Sequence, residues 1–394
     1  MKIGLKIKLD TIYQAIIYIY ICSVYFLKYQ VFYIELIFIG VSFIRSLKSS
    51  WRKNFYLIWS IVLMLFFLLS FMNTINLYNS TITYIQLLKL FFLGNIIILT
   101  VRKEEEIQIY KRAIIIAGYF MIIYVLYKME IPVLELFSKR FGSNKIVNSN
   151  DIALKLCVST FFYIQIILDK KFKIKDIFFL SILIIFIFLT GSRKGGAFLL
   201  MGVVLEILFL KYKEKMKLVY KFFKFFPIII IIFMVTIKKL YESNLLIVER
   251  FLSMISKENK DGSTLIRLEM IDDGIKFFKE RIFFGYGLDN YRFLSKYETY
   301  SHNNYIELLV SVGIIGCIIY YFLQIYLIKN NLKYYKKYKE IIPFFIISLL
   351  LPIMDIGLVR YNDRFYNLII VLNFIVLLKI KKKYNKKRYK LERY

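Results

Sequence analysis

His302 is the only histidine among 394 residues, and it stands in the polar run Tyr300-Ser-His-Asn-Asn-Tyr-Ile-Glu307 at the expected mouth of an apolar helix. A helix N-terminus carries unpaired N–H groups and a positive dipole end, which disfavour an imidazolium. A neutral imidazole there can accept a proton, so His302 is a candidate general base. The plainer alternative is that Ser301 or Asn303 caps the helix and His302 merely lies at the membrane interface. Glu307 falls on the next turn, where an acid can orient donors or pair with an arginine.

The cations are as selective as the base. Arg193 sits in Thr190-Gly-Ser-Arg-Lys-Gly195, between Ser192 and Lys194, and Gly191, Gly195 and Gly196 leave room for a bulky anion to approach the backbone. A turn residue anchored to lipid headgroups is the competing reading of Arg193, but a cation in a short outer loop runs against the positive-inside rule. Arg267 and Arg250 complete a candidate phosphate clamp, because a planar guanidinium fork matches phosphate oxygens better than a lysine does. Arg360, Asp363 and Arg364 are further polar candidates in the last outer loop. One histidine without clustered ligands gives no metal site. The three cysteines lie singly in apolar runs and give neither a disulfide framework nor a zinc motif.

The elements that must position these residues are membrane helices. The chain is 59% hydrophobic with a mean hydropathy of +0.59, more apolar surface than a soluble core hides. Apolar runs at 11–27, 31–47, 55–72, 82–100, 113–131, 151–168, 176–190, 195–210, 222–240, 303–328, 341–357 and 365–380 predict an all-α, polytopic integral membrane protein with about twelve transmembrane helices. Every second loop is rich in Lys and Arg, so both termini are expected in the cytoplasm. The net charge of +30 then reads as topology determinants and anionic-lipid contacts, not as a nucleic-acid footprint. The basic N-terminus runs into apolar sequence without a small-residue cleavage site, which predicts an uncleaved first span. Residues 1–394 are expected to form one membrane domain, with 241–302 as a large extracytoplasmic loop.

That loop has internal order. Leu268, Ile271, Ile275, Phe278 and Ile282 recur at helical spacing, opposite Glu269, Asp272, Asp273, Lys276, Lys279 and Glu280. Arg267 falls among the apolar residues, where a guanidinium needs an anionic partner. Gly285-Tyr-Gly287 follows and reads as a turn, not as an ion filter. Lys89 and Lys155, inside apolar runs, are expected to extend toward the outer interface.

The order Gly191-Ser-Arg-Lys-Gly195, Arg267, Phe284-Gly-Tyr-Gly287, Ser301-His-Asn-Asn-Tyr305, Val312-Gly-Ile-Ile-Gly316 resembles the bacterial O-antigen ligase/polymerase superfamily, with the specific part over roughly 190–316. The resemblance implies a metal-independent glycosyltransferase of the outer leaflet, without a cofactor, that uses an undecaprenyl-diphosphate-linked glycan as donor. Carried over, Arg193 and Arg267 bind the diphosphate leaving group and His302 takes the proton of the attacking hydroxyl. Ser192, Lys194, Arg250, Asn303, Glu307, Arg360 and Arg364 are the accompanying substrate-binding candidates. The lack of a convincing nucleophile predicts a single, inverting displacement.

The closest likeness is to capsular or O-antigen polysaccharide polymerases, which join lipid-linked repeat units. A ligase that hands finished glycan to an acceptor shares the same donor chemistry. A lipid-linked oligosaccharide transporter is the reading from another class; it needs a midplane polar path and often shows internal repeats, and neither is visible. Expected partners are the lipid-linked donor and acceptor, membrane lipid, and a flippase and chain-length regulator of the same pathway, with no nucleic acid.

Overall fold

The computed structural model describes residues 2–27, 31–47, 53–130, 141–142, 146–169, 173–210 and 262–391. The expected span 222–240, Arg250 and residues 241–261 of the expected outer loop lie outside the described residues. Thirteen α-helices occur among the described residues: α1 (Lys2–Phe26), α2 (Val31–Ser46), α3 (Phe55–Leu69), α4 (Leu77–Thr100), α5 (Glu104–Met129), α6 (Ser149–Asp169), α7 (Ile174–Leu189), α8 (Arg193–Phe209), α9 (Gly262–Glu280), the short α10 (Tyr291–Leu294), α11 (Asn304–Tyr334), α12 (Ile342–Met354) and α13 (Arg364–Leu391).

The chain is a helical membrane protein. Among the described residues, five stretches are long and apolar enough to cross a bilayer: Phe55–Asn73, Leu77–Thr100, Glu104–Met129, Ser149–Asp169 and Asn304–Tyr334. Short polar side chains start several of these helices where the sequence turns apolar. Asn54 accepts from the Leu57 N–H at 3.0 Å, and Asn76 accepts from that of Asn79 at 3.0 Å. Helices α7, α8 and α12 are shorter, at 16, 17 and 13 residues.

The described residues divide into two compact units. The first takes in Met1–Glu35, Gln108–Asn259 and Tyr335–Ile347. Its centre is α6, most of whose side chains are buried. Glycines let α8 approach it: a Cβ at Gly195 would overlap that of Ala153, and one at Gly202 would overlap the Phe161 ring. Lys155 departs from expectation. It is buried in α6, pairs with Asp151 at 2.8 Å, and donates to the carbonyls of Val24 and Tyr25 at 3.0 and 3.2 Å. Those carbonyls belong to the last turn of α1, where a helix leaves acceptors unsatisfied, so the ammonium completes a helix end instead of reaching for water.

The second unit takes in Leu36–Ile107, Lys260–Tyr334 and Ser348–Tyr394. Its organising feature is a break in α11 at Gly313, whose φ of 69° and ψ of −175° interrupt the helix. Carbonyls freed by the break take donors from the loop that follows α9. Tyr286 N–H donates to the Val310 carbonyl at 2.8 Å and Gly287 N–H to that of Ser311 at 2.9 Å. In return, Ile314 N–H donates to the Ile282 carbonyl at 2.8 Å. The Phe284-Gly-Tyr-Gly287 stretch is therefore a turn, as expected, and it is docked on the broken helix. Contact is close: a Cβ at Gly285 would meet the backbone of Val310 and Ser311, and one at Gly313 would meet the backbone of Phe283.

Gly313→Ala forces an L-residue into a region that glycine alone adopts readily, a cost of about 1–3 kcal/mol before the steric overlap is added. The variant is expected to show a clearly lower Tm in detergent. Gly40→Ala in α2, where a Cβ meets nothing within 4 Å, is expected to show none of that loss.

Candidate active site

The polar run around His302 is folded before α11 begins. Asn303 caps the helix: its Oδ1 accepts from the N–H groups of Tyr305 at 2.9 Å and Ile306 at 3.2 Å. Ser301 Oγ donates to the Asn303 carbonyl at 2.8 Å, and the buried Glu307 turns back so that its Oε2 accepts from Ser301 N–H at 2.8 Å. His302 lies between these bonds with φ of 58°, a left-handed conformation that costs a non-glycine residue about 1–3 kcal/mol. Its ring is half-buried and lies 4.3 Å from that of Tyr300, centroid to centroid. The backbone on both sides of the histidine is thus fixed independently of the imidazole.

Behind this turn lies a buried network centred on Asn304. Its backbone N–H donates to the Asp355 carbonyl at 2.8 Å. Its Oδ1 accepts from the N–H groups of Arg360 at 3.0 Å and Tyr361 at 3.1 Å, and its Nδ2 donates to Tyr321 Oη at 2.9 Å. Tyr321 in turn donates to Asp355 Oδ2 at 2.8 Å. Arg360 grips Asp355 with both arms, Nε to Oδ1 at 2.6 Å and Nη2 to Oδ2 at 2.8 Å. Burial alone would lower the Arg360 pKa; the Asp355 carboxylate outweighs it and holds the guanidinium protonated. Arg360 is therefore a buried tether between the α12–α13 loop and the histidine turn.

Helix α9 packs on the same turn. Met270 shares a buried cluster with Tyr291, Ile306 and Val310, against which Ile271, Phe277 and Phe278 also pack. Tyr291 Oη donates to the Met270 carbonyl at 2.6 Å, and a Cβ at Gly274 would strike Ile306. The protein-facing stripe is thus centred on Met270, Gly274 and Phe277. Leu268, Ile275 and Ile282 of the expected apolar face remain exposed, on the side available to lipid. Arg267 is half-buried, one turn ahead of this cluster. On the opposite face, the phenol of Tyr297 and the ammonium of Lys296 hold the Glu269 carboxyl below its ordinary pKa.

The other candidates fall elsewhere. Ser192, Arg193 and Lys194 open α8 in the first unit, where Ser192 Oγ caps the Gly195 N–H at 3.1 Å and meets Asn150 Oδ1 at 2.8 Å. Arg193 is exposed at the first position of that helix, and Gly191 before it has φ of 56°. Arg364 is the half-buried first residue of α13.

Residues that the sequence reading passed over carry much of the geometry. Asn304, Tyr321 and Asp355 form the network. Asn290 anchors the docked loop, with Nδ2 donating to Thr74 Oγ1 at 2.9 Å and Ser80 Oγ at 2.6 Å and Oδ1 accepting from Asn76 N–H at 2.8 Å. Asp289 and Arg292 form an ion pair at 2.7 Å and act electrostatically on Glu307. Burial pushes the Asp289 carboxyl up against the pull of Arg292. One signal was available: Asp355 is the only acid in the apolar run 341–357 and stands five residues before Arg360.

Residues 178–321 match the family model described as O-antigen ligase. The match supports the resemblance to the O-antigen ligase/polymerase superfamily. It spans Ser192–Lys194, Arg267, the docked turn and His302–Glu307, and ends ahead of Asp355 and Arg360. No curated protein matches the chain.

Asp355→Ala would leave a buried guanidinium without its carboxylate, a loss of about 3–5 kcal/mol. Thermal unfolding of the detergent-solubilised protein is expected to show it. Replacing both partners by apolar residues of similar volume, Asp355→Leu with Arg360→Met, is expected to recover most of that loss.

Proposed function

We propose that this chain is a membrane glycosyltransferase that polymerises undecaprenyl-diphosphate-linked oligosaccharide repeat units into a capsular or O-antigen polysaccharide at the extracytoplasmic face. The observation that carries the reading is the fixed turn at His302, inside the stretch matching the O-antigen ligase family. About twelve spans, cytoplasmic termini and an outward-facing 241–302 loop belong to the same proposal and rest on loop charge.

His302 acts as the general base that takes the proton from the attacking sugar hydroxyl. Breaking the anomeric bond then develops negative charge on the departing diphosphate, and fixed guanidinium groups stabilise that charge more in the transition state than in the ground state. Arg193 and Arg267 are assigned this task, with Ser192, Lys194, Arg250 and Arg364 as accompanying anion contacts. Asn303 and Glu307 hold the histidine turn, and Arg360 supports it through Asn304. The displacement is single-step and inverting and calls on no metal or cofactor. The lipid-linked donor and acceptor are the substrates, with a flippase and a chain-length regulator as pathway partners.

A ligase shares this donor chemistry, and the description of the matching family names that activity. The transporter reading receives no support from the match. Deleting the gene in its host and resolving surface and lipid-linked glycans on a gel separates the possibilities. Loss of the ladder with single repeat units on the surface supports a polymerase; a ladder stranded on the carrier lipid indicates a ligase; an unchanged pattern in a host without a second copy of the function overturns the proposal. His302→Ala is expected to lower elongation by about 10²–10⁴-fold with normal membrane insertion. Normal chain lengths in a well-expressed variant would remove the base role.

A further inference from the structure

In the first unit, the connection between α11 and α12 encloses a cavity of about 250 Å³. Its lining includes Lys336, Lys337, Lys339 and Glu340, with Phe209 and Tyr335 supplying aromatic wall. None of these residues belongs to the site described above. The connection begins where the long apolar helix Asn304–Tyr334 ends, which places it at the boundary between hydrocarbon and water, in a loop whose charge assigns it to the cytoplasmic side.

The loop is held from behind. The buried Lys111 of α5 donates from Nζ to Gln165 Oε1 at 2.8 Å and reaches the Glu340 carbonyl at 3.4 Å. Gln165 of α6 donates from Nε2 to the Lys339 carbonyl at 3.2 Å. Two consecutive carbonyls are thereby drawn toward the helices. On the apolar side, the Phe209 ring stacks on Phe345 at 4.8 Å and packs against Tyr335 at 5.0 Å. Lys339 also pairs with Asp169 at 2.5 Å. The result is a small pre-formed cup lined by lysine and aromatic side chains.

We propose that this cup binds the headgroup of an anionic phospholipid of the phosphoglycerol class. Lys336, Lys337 and Lys339 outnumber Glu340 and the Asp169 carboxylate that pairs with Lys339, which favours a net negative ligand, because each cation near an anionic membrane surface adds about 1 kcal/mol of attraction. Glu340 would repel a bare phosphate yet accept from glycerol hydroxyls, so the lining asks for phosphate and hydroxyl in one headgroup. Phe209 and Tyr335 provide the amphipathic surface on which the upper acyl chain rests. The volume suits a headgroup and not a whole lipid, so the chains stay in the bilayer.

The test uses the full-length protein in nanodiscs of phosphatidylcholine with increasing phosphatidylglycerol, and native mass spectrometry counts the lipid retained on release. The wild type is expected to retain phosphatidylglycerol in preference to phosphatidylcholine by at least tenfold. The triple variant Lys336→Gln, Lys337→Gln, Lys339→Gln is expected to lose that preference while eluting as a folded protein. Lys276→Gln with Lys279→Gln, which removes exposed charge from α9, is expected to keep it. Glu340→Gln separates headgroup recognition from charge alone and is expected to weaken the preference for phosphatidylglycerol over phosphatidic acid. Retention by the triple variant, equal loss in the α9 variant, or displacement of the lipid by millimolar inorganic phosphate would overturn the assignment.

Discussion

Much of the second unit hangs on the obligation to satisfy backbone polar groups where water is scarce. Breaking a membrane helix frees carbonyls that hydrocarbon cannot serve, and each orphan costs several kcal/mol. Here Gly313 breaks α11 and the chain between α9 and α10 supplies the missing donors. The exchange runs both ways, since the far side of the break donates back through Ile314 to Ile282. Two sequence motifs more than twenty residues apart are thereby one structural object. Its geometry fixes how the chain leaves α9, and hence which of that helix's faces meets the first turn of α11.

The histidine turn is built on that platform by a different kind of bond. Its left-handed backbone is unfavourable by itself and is held by the hydrogen bonds that Ser301, Asn303 and Glu307 make on either side of it. Asn304 then ties the turn to the backbone of the α12–α13 loop. That loop is braced within itself by the Arg360–Asp355 ion pair, whose hydrogen bonds are the condition under which buried charge is tolerable. The strained backbone at His302 is thus sustained by the hydrogen bonds of Ser301, Asn303 and Glu307 around it.

Membrane character, the helical class and the turn at Gly285-Tyr-Gly287 were legible in the sequence because they follow from apolar run length and glycine chemistry. The family match falls on the motifs singled out there. Other features were not legible, for identifiable reasons. Periodicity in α9 marked a wide apolar arc, but it cannot say which part of the arc meets protein and which meets lipid, since both partners are apolar. Met270 and Gly274 therefore escaped notice while the exposed Leu268 and Ile275 did not. Lys155 was expected at the outer interface because its backbone acceptors, the carbonyls of Val24 and Tyr25, lie more than a hundred residues away, although Asp151 stands one turn before it. Asn304 failed to stand out because its four partners lie seventeen residues on in its own helix and more than fifty residues on in the α12–α13 loop.

The break at Gly313 also bears on how the protein meets membranes of different thickness. A continuous thirty-one-residue helix would respond to a thicker or thinner bilayer by tilting as one rod, displacing whatever stood at its tip. With the hydrogen-bond ladder interrupted, the segment beyond Gly313 can tilt while the N-terminal stub, clamped by the docked loop, keeps its alignment. Mismatch is then absorbed at a joint, and the N-terminal end of the helix is mechanically insulated from the hydrocarbon that surrounds the rest of it.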